Sequence, residues 1–405
     1  MSAQPTDALG PSPAESQPEP APIELSVVIP CLNEADTIGT CVEKAMRALR
    51  EGGIAGEVVV GDNGSTDGSQ QIATRLGARV VPVPMRGYGN ALMGGIAAAR
   101  GRFVLMGDAD DSYDFLELPK FVAKLRDGFD LVQGCRLPSG GGTVLPGAMP
   151  FLHRYWGNPM FSMMARWWFE APIHDVYCGM RAFTKAWYER LEQRCTGMEF
   201  ATEMIIKSSL FGARIAEVPI TLHPDGRKLR APHLRTFRDG WRTLRFLLMY
   251  SPRSLFLAPG ALLVLLGLVG YALAMPGITL AGVTFDAHTL VVSSLAILCG
   301  YQTILFAIFT MTFTTNEGLL PRTRGYDAFY RTMNLERGLV VAALALVVGL
   351  ASLAVAVHQW QLLGFAQLDY ARTMRWVAPG ALLTALGWQT LLSSFFVSIL
   401  GMSRR

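Results

Sequence analysis

The sequence has no cysteine pair in CxxC spacing, and its first residues have almost no large apolar side chains. Its six cysteines are scattered and mostly lie in apolar surroundings: Cys31, Cys41, Cys135, Cys178, Cys195 and Cys299. We therefore expect reduced, buried thiols on the cytoplasmic side, without a disulfide and without zinc. Residues 1–22 have almost no large apolar side chain, which predicts a disordered tail. Because this segment lacks an apolar h-region, it does not read as a signal peptide.

Charged residues are also scarce and nearly balanced, at 17% of the chain with a net charge of +4. We expect no nucleic-acid partner on that balance. The basic residues are concentrated between His223 and Arg253, where only Asp225 and Asp239 oppose them: Arg227, Lys228, Arg230, Arg235, Arg238, Arg242, Arg245 and Arg253. Anionic headgroups attract such a cluster by roughly 1 kcal/mol per basic residue. Ordinary positive-inside topology and specific phosphate binding both remain open.

Long apolar runs are confined to the C-terminal part of the chain. Four of them reach the length of about 20 residues that a bilayer span needs, namely Leu255 to Met275, Thr289 to Phe313, Gly338 to His358 and Trp376 to Leu400. No acidic residue lies inside these runs, so we do not infer an ion-coupled transporter. The loop between the second and third runs carries four arginines, which predicts that this loop and both termini are cytoplasmic.

Two further segments suggest contact with the membrane surface. Thr236 to Met249 alternates arginines with apolar residues, which predicts an amphipathic helix on the inner leaflet. A buried helix of the soluble domain is the alternative. Phe151 to Phe169 is rich in aromatic residues and methionine, which fits either a helix at the membrane interface or a core helix.

The N-terminal half alternates between predicted strands and helices. The predicted strands are Leu25 to Ile29, Glu57 to Val60, Val80-Val81 and Phe103 to Met106. Three helices lie between them: the first is capped by Asp36 or Thr37, the second runs from Gln70 to Leu76 and the third from Asn90 to Arg100. This alternation predicts a parallel sheet with helices on both faces. Ligands bind at the carboxyl ends of such strands, and Pro30, Asp62 and Asp108 lie there.

Carboxylates follow two of these strands. Asp108-Ala109-Asp110 comes directly after the apolar run Phe103 to Met106, and paired anions at a strand end are typical of a divalent-metal site. Asp62, with Gly64 and Ser65, lies in a turn where a carboxylate can accept hydrogen bonds from a base or ribose. The same residues are also ordinary turn formers.

Seven motifs together resemble the family 2 glycosyltransferases of GT-A fold, specifically the polyprenyl-phosphate sugar transferases that include dolichol-phosphate mannose and glucose synthases. The motifs lie within Leu25 to Pro252: Val27 to Glu34, the Asp62 turn, Arg86 to Ala91, Asp108-Ala109-Asp110, Val132 to Arg136, Asp175 to Arg181 and Glu217 to Ile220. The resemblance implies a Rossmann-like α/β catalytic domain with a mostly parallel sheet, followed here by an α-helical membrane domain.

The resemblance also implies roles for individual residues. The nucleotide-sugar donor would contact Pro30, Asn33, Glu34, Asp62, Gly64, Ser65, Arg86, Gly87, Asn90, Asp108, Ala109, Arg227 and Lys228. Asp108 and Asp110 would hold Mg²⁺ or Mn²⁺. The acceptor phosphate would contact Arg136, Arg154 and Asn158, while the catalytic set would comprise Asp110, Arg136, Arg154 and Asp175. Asp175 would lie near the sugar, although a loop cap is the alternative.

One departure from the family pattern concerns the metal site. Where such synthases often carry a further polar ligand, commonly Gln, this chain has Ser112 beside an extra carboxylate, Asp111. The choice between Mg²⁺ and Mn²⁺ is therefore open. Glu199 and Glu203, on the helix that follows Asp175 in the sequence, are weaker candidates for contacts with sugar hydroxyls.

These observations predict four segments: a tail at 1–22, the catalytic domain at 23–222, basic juxtamembrane helices at 223–254 and four transmembrane helices at 255–405. The predicted reaction is inverting transfer of one sugar, from a UDP-glucose-like or GDP-mannose-like donor, to a polyprenyl phosphate at the cytoplasmic membrane. A processive polysaccharide synthase is one alternative, although Arg372 to Trp376 lacks the Gln of that class's Gln-x-x-Arg-Trp motif. A non-catalytic nucleotide-binding membrane adaptor is another, and the oligomeric state stays open.

Overall fold

The computed structural model describes residues 22–227 and 236–402. Residues 1–21 of the predicted N-terminal tail and Lys228 lie outside these residues. Within them the chain forms an α/β domain, one connecting helix and a bundle of long apolar helices.

A seven-stranded sheet organises the first part of the chain. Its strands lie in the order β3-β2-β1-β4-β7-β5-β8, with bounds β1 Leu25–Cys31, β2 Gly56–Asp62, β3 Arg79–Pro82, β4 Phe103–Met106, β5 Leu131–Cys135, β7 Arg181–Thr184 and β8 Ile215–Pro219. All neighbours are parallel except that β7 runs antiparallel to β4 and β5. A small second sheet pairs β6 (Thr143–Val144) with β9 (Thr221–Leu222). The predicted mostly parallel α/β sheet is confirmed.

Helices cover both faces of the sheet and enclose two apolar cores. Their bounds are α1 Ile38–Glu51, α2 Ser69–Arg75, α3 Tyr88–Ala98, α4 Leu118–Arg126, α5 Asn158–Phe169, α6 Lys185–Leu191, α7 Glu199–Leu210 and α8 Thr236–Tyr250. Helices α1 and α4 bury their apolar sides in one core, and α3, α5, α7 and α8 contribute to the other. Each face of the sheet is therefore closed to water, as a parallel sheet requires.

The sequence predicted that β1 would stop at Pro30, but the strand continues to Cys31. Pro30 lacks the N–H that a central strand normally donates. The neighbouring β4 pairs with β1 only from Leu25 to Val28, so at Pro30 only β2 remains alongside. The strand tolerates proline because one of its edges is already open at that position.

Four helices beyond α8 are long and apolar enough to cross a membrane: Arg253–Ala274, Ala287–Asn316, Leu335–Leu362 and Tyr370–Leu400. They contain α9 (Ala258–Ala274), α10 (Ala287–Asn316), α12 (Leu335–Leu362) and α13 (Tyr370–Leu400), and the amphipathic α11 (Arg324–Thr332) connects α10 to α12. The four predicted spans are confirmed as candidates by length and composition. A two-stranded hairpin of β10 (Thr279–Leu280) and β11 (Val283–Thr284) joins α9 to α10.

The helix α8 combines the two alternatives that its sequence left open. Phe246 and Leu247 are buried in the core of the α/β domain, whereas Trp241 and Met249 are exposed. The helix therefore packs on the domain along one side and presents apolar side chains along another. It leads directly into the first candidate span.

Candidate active site

The Asp62 turn follows β2 and is held by its own carboxylate. Asp62 is buried and accepts hydrogen bonds from the backbone N–H of Gly64 (2.9 Å) and Ser65 (3.1 Å) and from Gln70 Nε2 (2.6 Å). Asn33, with a φ of 58°, accepts the N–H of Thr66 at 2.7 Å through its side-chain oxygen. The loops after β1 and β2 are thus joined at the carboxyl edge of the sheet, where the sequence placed the nucleoside.

The predicted donor residues at the start of α3 are tied to the same edge. Asn63 Oδ1 accepts the N–H of Gly87 at 3.0 Å, and Asn90 Nδ2 donates to the carbonyl of Arg86 at 3.0 Å. Gly87 has a φ of 141°, and a Cβ there would lie 2.6 Å from the carbonyl oxygen of Thr196. Glycine is required by both the backbone angle and the close approach. Asn63 stands beside Asp62 in the sequence but was not among the predicted site residues.

The two aspartates after β4 each have a hydroxyl partner. Tyr88 Oη donates to Asp108 Oδ1 at 2.8 Å, and Ser112 donates to Asp110 Oδ1 through its Oγ at 2.7 Å and its N–H at 3.0 Å. Burial, and then the neighbouring charge of Asp110, raises the pKa of Asp108 to about 6. Ser112, the departure from the family pattern, therefore orients Asp110.

Arg227 lies across this site and joins it to the β1 loop. Its Nε and Nη2 donate to the two carboxylate oxygens of Glu34, at 2.8 and 2.7 Å. Its Nη1 lies 2.8 Å from Asp225 Oδ2 and 3.5 Å from Asp110 Oδ2. Although burial opposes it, the hydrogen bonding and charge of Glu34 raise the pKa of Arg227 above its ordinary value. Arg227 is thus a fixed cation at the aspartate pair, 193 residues from Glu34 in the sequence.

The donor set of Asp108 and Asp110 suits a hard divalent cation. Among residues 22–227 and 236–402 no group of three or more His, Cys, Asp or Glu side chains could hold a metal ion by itself. Mg²⁺ is commonly bound through one or two carboxylates, with substrate phosphates and waters completing its shell. Two carboxylates at a strand end therefore fit a cation that is shared with a diphosphate.

Arg136 and Asp175 form a buried ion pair next to the aspartates. The guanidinium donates from Nε (2.7 Å) and from Nη2 (2.8 Å) to the two carboxylate oxygens of Asp175, which is fully buried. The remaining Nη1 lies 3.4 Å from Tyr113 Oη, and that oxygen accepts the N–H of Gly179 at 2.8 Å. The carboxylate of Asp175 is therefore paired with Arg136. It does not cap its own loop, which the sequence left as the alternative.

The Arg136 pair and the aspartate site are adjacent. A Cβ at Gly179 would meet Asp108 Oδ2 at 2.7 Å and Tyr113 Oη at 3.2 Å. One glycine thus separates the candidate metal ligand from the tyrosine that contacts Arg136. Any larger side chain at Gly179 would push these two groups apart.

The other two acceptor candidates lie at the start of α5. Arg154 belongs to a short π-helix, His153–Gly157, and its guanidinium lies 5.4 Å from the ring centroid of Tyr155. Asn158 is buried, with its Nδ2 at 3.3 Å from the sulfur of Met149. This segment exposes a set of large apolar side chains: Phe151, Leu152, Tyr155, Trp156, Met160, Met163 and Trp167.

Glu203, a weaker sugar-contact candidate, is fully buried within α7 and ion-paired with Lys207 at 2.9 Å. It does not face the cleft. Glu199 is only partly buried and lies 3.8 Å from Arg242 of α8.

Comparison with known proteins agrees with this architecture. Residues 26–192 match glycosyl transferase family 2, and residues 308–401 match the glycosyltransferase family 2 C-terminal transmembrane region. The low-salt glycan biosynthesis hexosyltransferase Agl6 of Haloferax volcanii is 37% identical over 379 residues, which cover 93% of this chain and 89% of that protein. The dolichyl-phosphate hexose transferase of the same organism is 36% identical over 198 residues, covering 49% and 82%.

Among solved structures, glucosyl-3-phosphoglycerate synthase from Mycobacterium tuberculosis, in complex with Mn²⁺, uridine diphosphate and glucosyl-3-phosphoglycerate, is 24% identical. The match covers 56% of this chain and 78% of that one, with a TM-score of 0.42. The predicted fold class, a GT-A-like α/β domain followed by a membrane domain, is confirmed by the sheet, the four apolar helices and the family match. The chain is a glycosyltransferase and an integral membrane protein, and it belongs to glycosyltransferase family 2.

Proposed function

We propose that this protein transfers a single sugar, with inversion, from a nucleotide-sugar to a polyprenyl phosphate in the membrane. The observation that carries the proposal is one cleft edge where a carboxylate pair and a buried arginine adjoin, in a chain with four candidate spans. The printed names of two relatives, a glycan biosynthesis hexosyltransferase and a dolichyl-phosphate hexose transferase, support the same substrate classes.

The donor half of the proposed site combines a nucleoside region with a diphosphate region. Pro30, Asn33, Glu34 and the Asp62 turn would contact the nucleoside, while Asp108 and Asp110 would hold Mg²⁺ or Mn²⁺ on the diphosphate. The cation would neutralise the negative charge that builds on the leaving diphosphate. Tyr88 and Ser112 fix the two carboxylates before the donor arrives, because each hydroxyl holds one oxygen in place.

Arg227 would support diphosphate binding from its position beside Glu34 and Asp110. Its guanidinium has a bidentate partner in Glu34 and a longer contact of 3.5 Å to Asp110. Arginine binds phosphate oxygens through the same planar fork of donors. We propose that Arg227 keeps its bonds to Glu34 and Asp225, and that its Nη1, which lies 3.5 Å from Asp110, also donates to a diphosphate oxygen when the donor is bound, with Lys228 as a further contact.

The acceptor half needs positioning more than a strong base. A lipid phosphate is already an anion at neutral pH, so its oxygen can attack the anomeric carbon directly while the bond to the diphosphate oxygen breaks. The electron pair of that bond leaves with the nucleoside diphosphate, and attack from the opposite face inverts the configuration. Arg136 would hold the phosphate, with Asp175 orienting the guanidinium and with Arg154 and Asn158 as further contacts.

The membrane arrangement follows from the same scheme. The exposed apolar side chains between Phe151 and Trp167 would lie at the lipid interface, next to the prenyl chain. The arginines between α10 and α12 favour a cytoplasmic location for that connection. An even number of spans then leaves both termini and the catalytic domain in the cytoplasm. We propose that the catalytic domain spans residues 23–222 and that a segment at 223–254 joins it to a membrane domain at 255–405.

A donor screen tests the proposal. Purified protein in nanodiscs is incubated with short-chain polyprenyl phosphate, with radiolabelled UDP-glucose or GDP-mannose, and with Mg²⁺ or Mn²⁺. We expect label in the chloroform phase with at least one donor, and none with the Asp110→Ala variant. Label found only in a water-soluble polymer would instead identify a processive synthase, and nucleotide binding by calorimetry without any labelled product would indicate the non-catalytic nucleotide-binding adaptor.

A further inference from the structure

A tyrosine at the membrane end of α8 reaches into the α/β domain. Tyr250, the last residue of α8, stands three residues before the candidate span Arg253–Ala274. Its hydroxyl donates to Glu203 Oε1 at 3.3 Å. Glu203 is fully buried, so the bond connects the start of the membrane region to a charge inside the catalytic domain.

Glu203 fixes the backbone that follows α6. Its carboxylate accepts the N–H groups of Arg194 (3.0 Å) and Cys195 (2.8 Å). Lys207, its ion-pair partner at 2.9 Å, donates in turn to the carbonyls of Leu191 and Glu192. A single buried pair thus determines where residues 191–195 lie, and an unsatisfied bond here would leave a charge uncompensated.

That backbone forms a wall against the proposed donor residues. The carbonyl of Thr196 accepts the N–H of Asn90 at 3.3 Å. A Cβ at Gly89 would lie 2.7 Å from the carbonyl oxygen of Cys195, as the one at Gly87 would lie 2.6 Å from that of Thr196. Because these contacts leave no space, residues 195–196 cannot shift towards α3 without moving its start, and a shift away would lengthen the bond from Asn90 to Thr196.

The position of Tyr250 is itself fixed by packing. Its ring stacks on Phe246, with centroids 4.5 Å apart, and Phe246 and Leu247 are buried among side chains of α7 and α5. Substitution by phenylalanine would keep the stacking and remove only the hydroxyl. The bond to Glu203 can therefore be tested separately from the packing of α8.

We propose that Tyr250 is a positioning residue for the nucleotide-sugar site. Acting through Glu203, it holds the 194–196 backbone against Gly87 and Asn90, so the membrane-proximal end of α8 sets the width of the donor cleft. The inference rests on the proposed function for the identity of the donor site. It adds a contribution of the juxtamembrane helix to nucleotide affinity, and it involves no contact between Tyr250 and substrate.

The test compares Tyr250→Phe with two control variants in the full-length protein in nanodiscs. Tyr271→Phe removes a hydroxyl bond to Ser294, 2.6 Å long, inside the membrane helices. Leu247→Val weakens the packing of α8 in the core and leaves Tyr250 stacked on Phe246. The dissociation constants of UDP and GDP with Mn²⁺ are measured by calorimetry, and the thermal midpoint is measured for each variant.

For the nucleotide that the wild type binds more tightly, we expect Tyr250→Phe to raise the Kd about fivefold. This is the lower end of the usual coupling between two sites. Donor KM should rise equally and acceptor KM should stay unchanged. Tyr271→Phe should leave the Kd unchanged, and Leu247→Val should lower the thermal midpoint while leaving the Kd nearly unchanged.

Three results would overturn the inference: an unchanged Kd in Tyr250→Phe, an equal rise of the Kd in Leu247→Val, or an equal rise in donor and acceptor KM in Tyr250→Phe. Nucleotide binding needs no lipid acceptor, so a wild type that binds nucleotide but glycosylates no lipid would contradict the proposed reaction while the Tyr250 comparison still stands or fails by its Kd. A wild type that binds neither nucleotide would overturn both.

Discussion

The α/β domain and the membrane helices bury different chemical groups. In the α/β domain charged side chains are buried in pairs or against carbonyls, as with Arg136 and Asp175, Glu203 and Lys207, and Arg181 on the carbonyls of Ala201 and Cys178. The membrane helices approach one another at small residues. A Cβ at Gly349 would lie 2.5 Å from Thr384 Oγ1, and one at Gly300 would lie 2.6 Å from the carbonyl of Gly260.

This difference follows from what each region must do. A buried ion pair costs several kcal/mol of desolvation per ion, and its Coulomb energy barely repays that cost. Such pairs are therefore weak devices for stability, and in this domain they hold residues 191–195 and the guanidinium of Arg136 in place. Between membrane helices the contacts come from close backbone packing and hydroxyl groups. The chemistry and the anchoring are thus separated along the chain.

The largest expected effect comes from breaking a buried pair. Asp175→Asn leaves the guanidinium of Arg136 without its counter-charge, which should destabilise the α/β domain by about 3–5 kcal/mol. Glu51→Gln, in the exposed pair with Arg47, should be nearly neutral because solvent screens that pair. Thermal and denaturant unfolding of both variants measures the contrast, and equal losses would contradict it.

Next in size is the catalytic loss at the aspartate pair. Asp110→Asn should reduce sugar transfer about 10²–10³-fold, because a neutral amide would hold less tightly the cation that neutralises the leaving diphosphate. Asp114→Asn is the matched control, since Asp114 only accepts the N–H of Leu116 and asparagine can do the same. Initial rates at saturating donor measure both. A similar loss in the two variants would argue against a special role for Asp110.

A smaller effect is expected when a close approach in the membrane is blocked. Gly349→Val should separate α12 from α13 and cost about 1–3 kcal/mol. Val348→Leu, at an exposed neighbouring position, should be nearly neutral. Nucleotide affinity should stay unchanged in both variants if anchoring and chemistry are separate. Midpoints of thermal unfolding together with the Kd of UDP or GDP check this, and a raised Kd in Gly349→Val would join the two regions.

The smallest effect concerns pH. Hydrogen bonds and charge from Arg126 and Arg102 outweigh partial burial and lower the pKa of Glu24 to about 2. Since the folded pKa lies below the unfolded one, the stabilisation is present above about pH 4.5 and is lost as the pH falls towards 2. Glu24→Gln should remove this pH dependence of the free energy of unfolding, a change of less than about 1 kcal/mol, so the thermal midpoint should vary less over that range than in the wild type. Glu189→Gln, at an exposed position, should leave the pH dependence unchanged.

The sequence predicted features that depend on local pattern. The spans, the parallel sheet and the positions of Asp62 and Asp108 at strand ends all follow from periodicity and from residues adjacent in the chain. Bounds shifted by one or two residues where turns decide them, as at Pro30. The roles assigned to the site residues by family resemblance remain predictions, and the structure shows where those residues lie.

Long-range pairings could not be derived from the sequence. Glu34 meets Arg227 across 193 residues, and Asp175 meets Arg136 across 39. Nothing near either carboxylate in the sequence indicates which arginine it binds. Tyr88, Tyr113 and Tyr250 were missed for the same reason, because a tyrosine in an apolar stretch is read as core until its hydroxyl partner is known.

The most direct test of the proposed reaction is the mass of the lipid after incubation with donor, metal and polyprenyl phosphate in nanodiscs. The account predicts that the wild-type protein adds the mass of a single hexose to the lipid phosphate, that removal of the divalent cation abolishes the product, and that Asp110→Asn lowers its rate of formation about 10²–10³-fold. An unmodified lipid with every donor tried, or a product formed equally well without a cation, would contradict it.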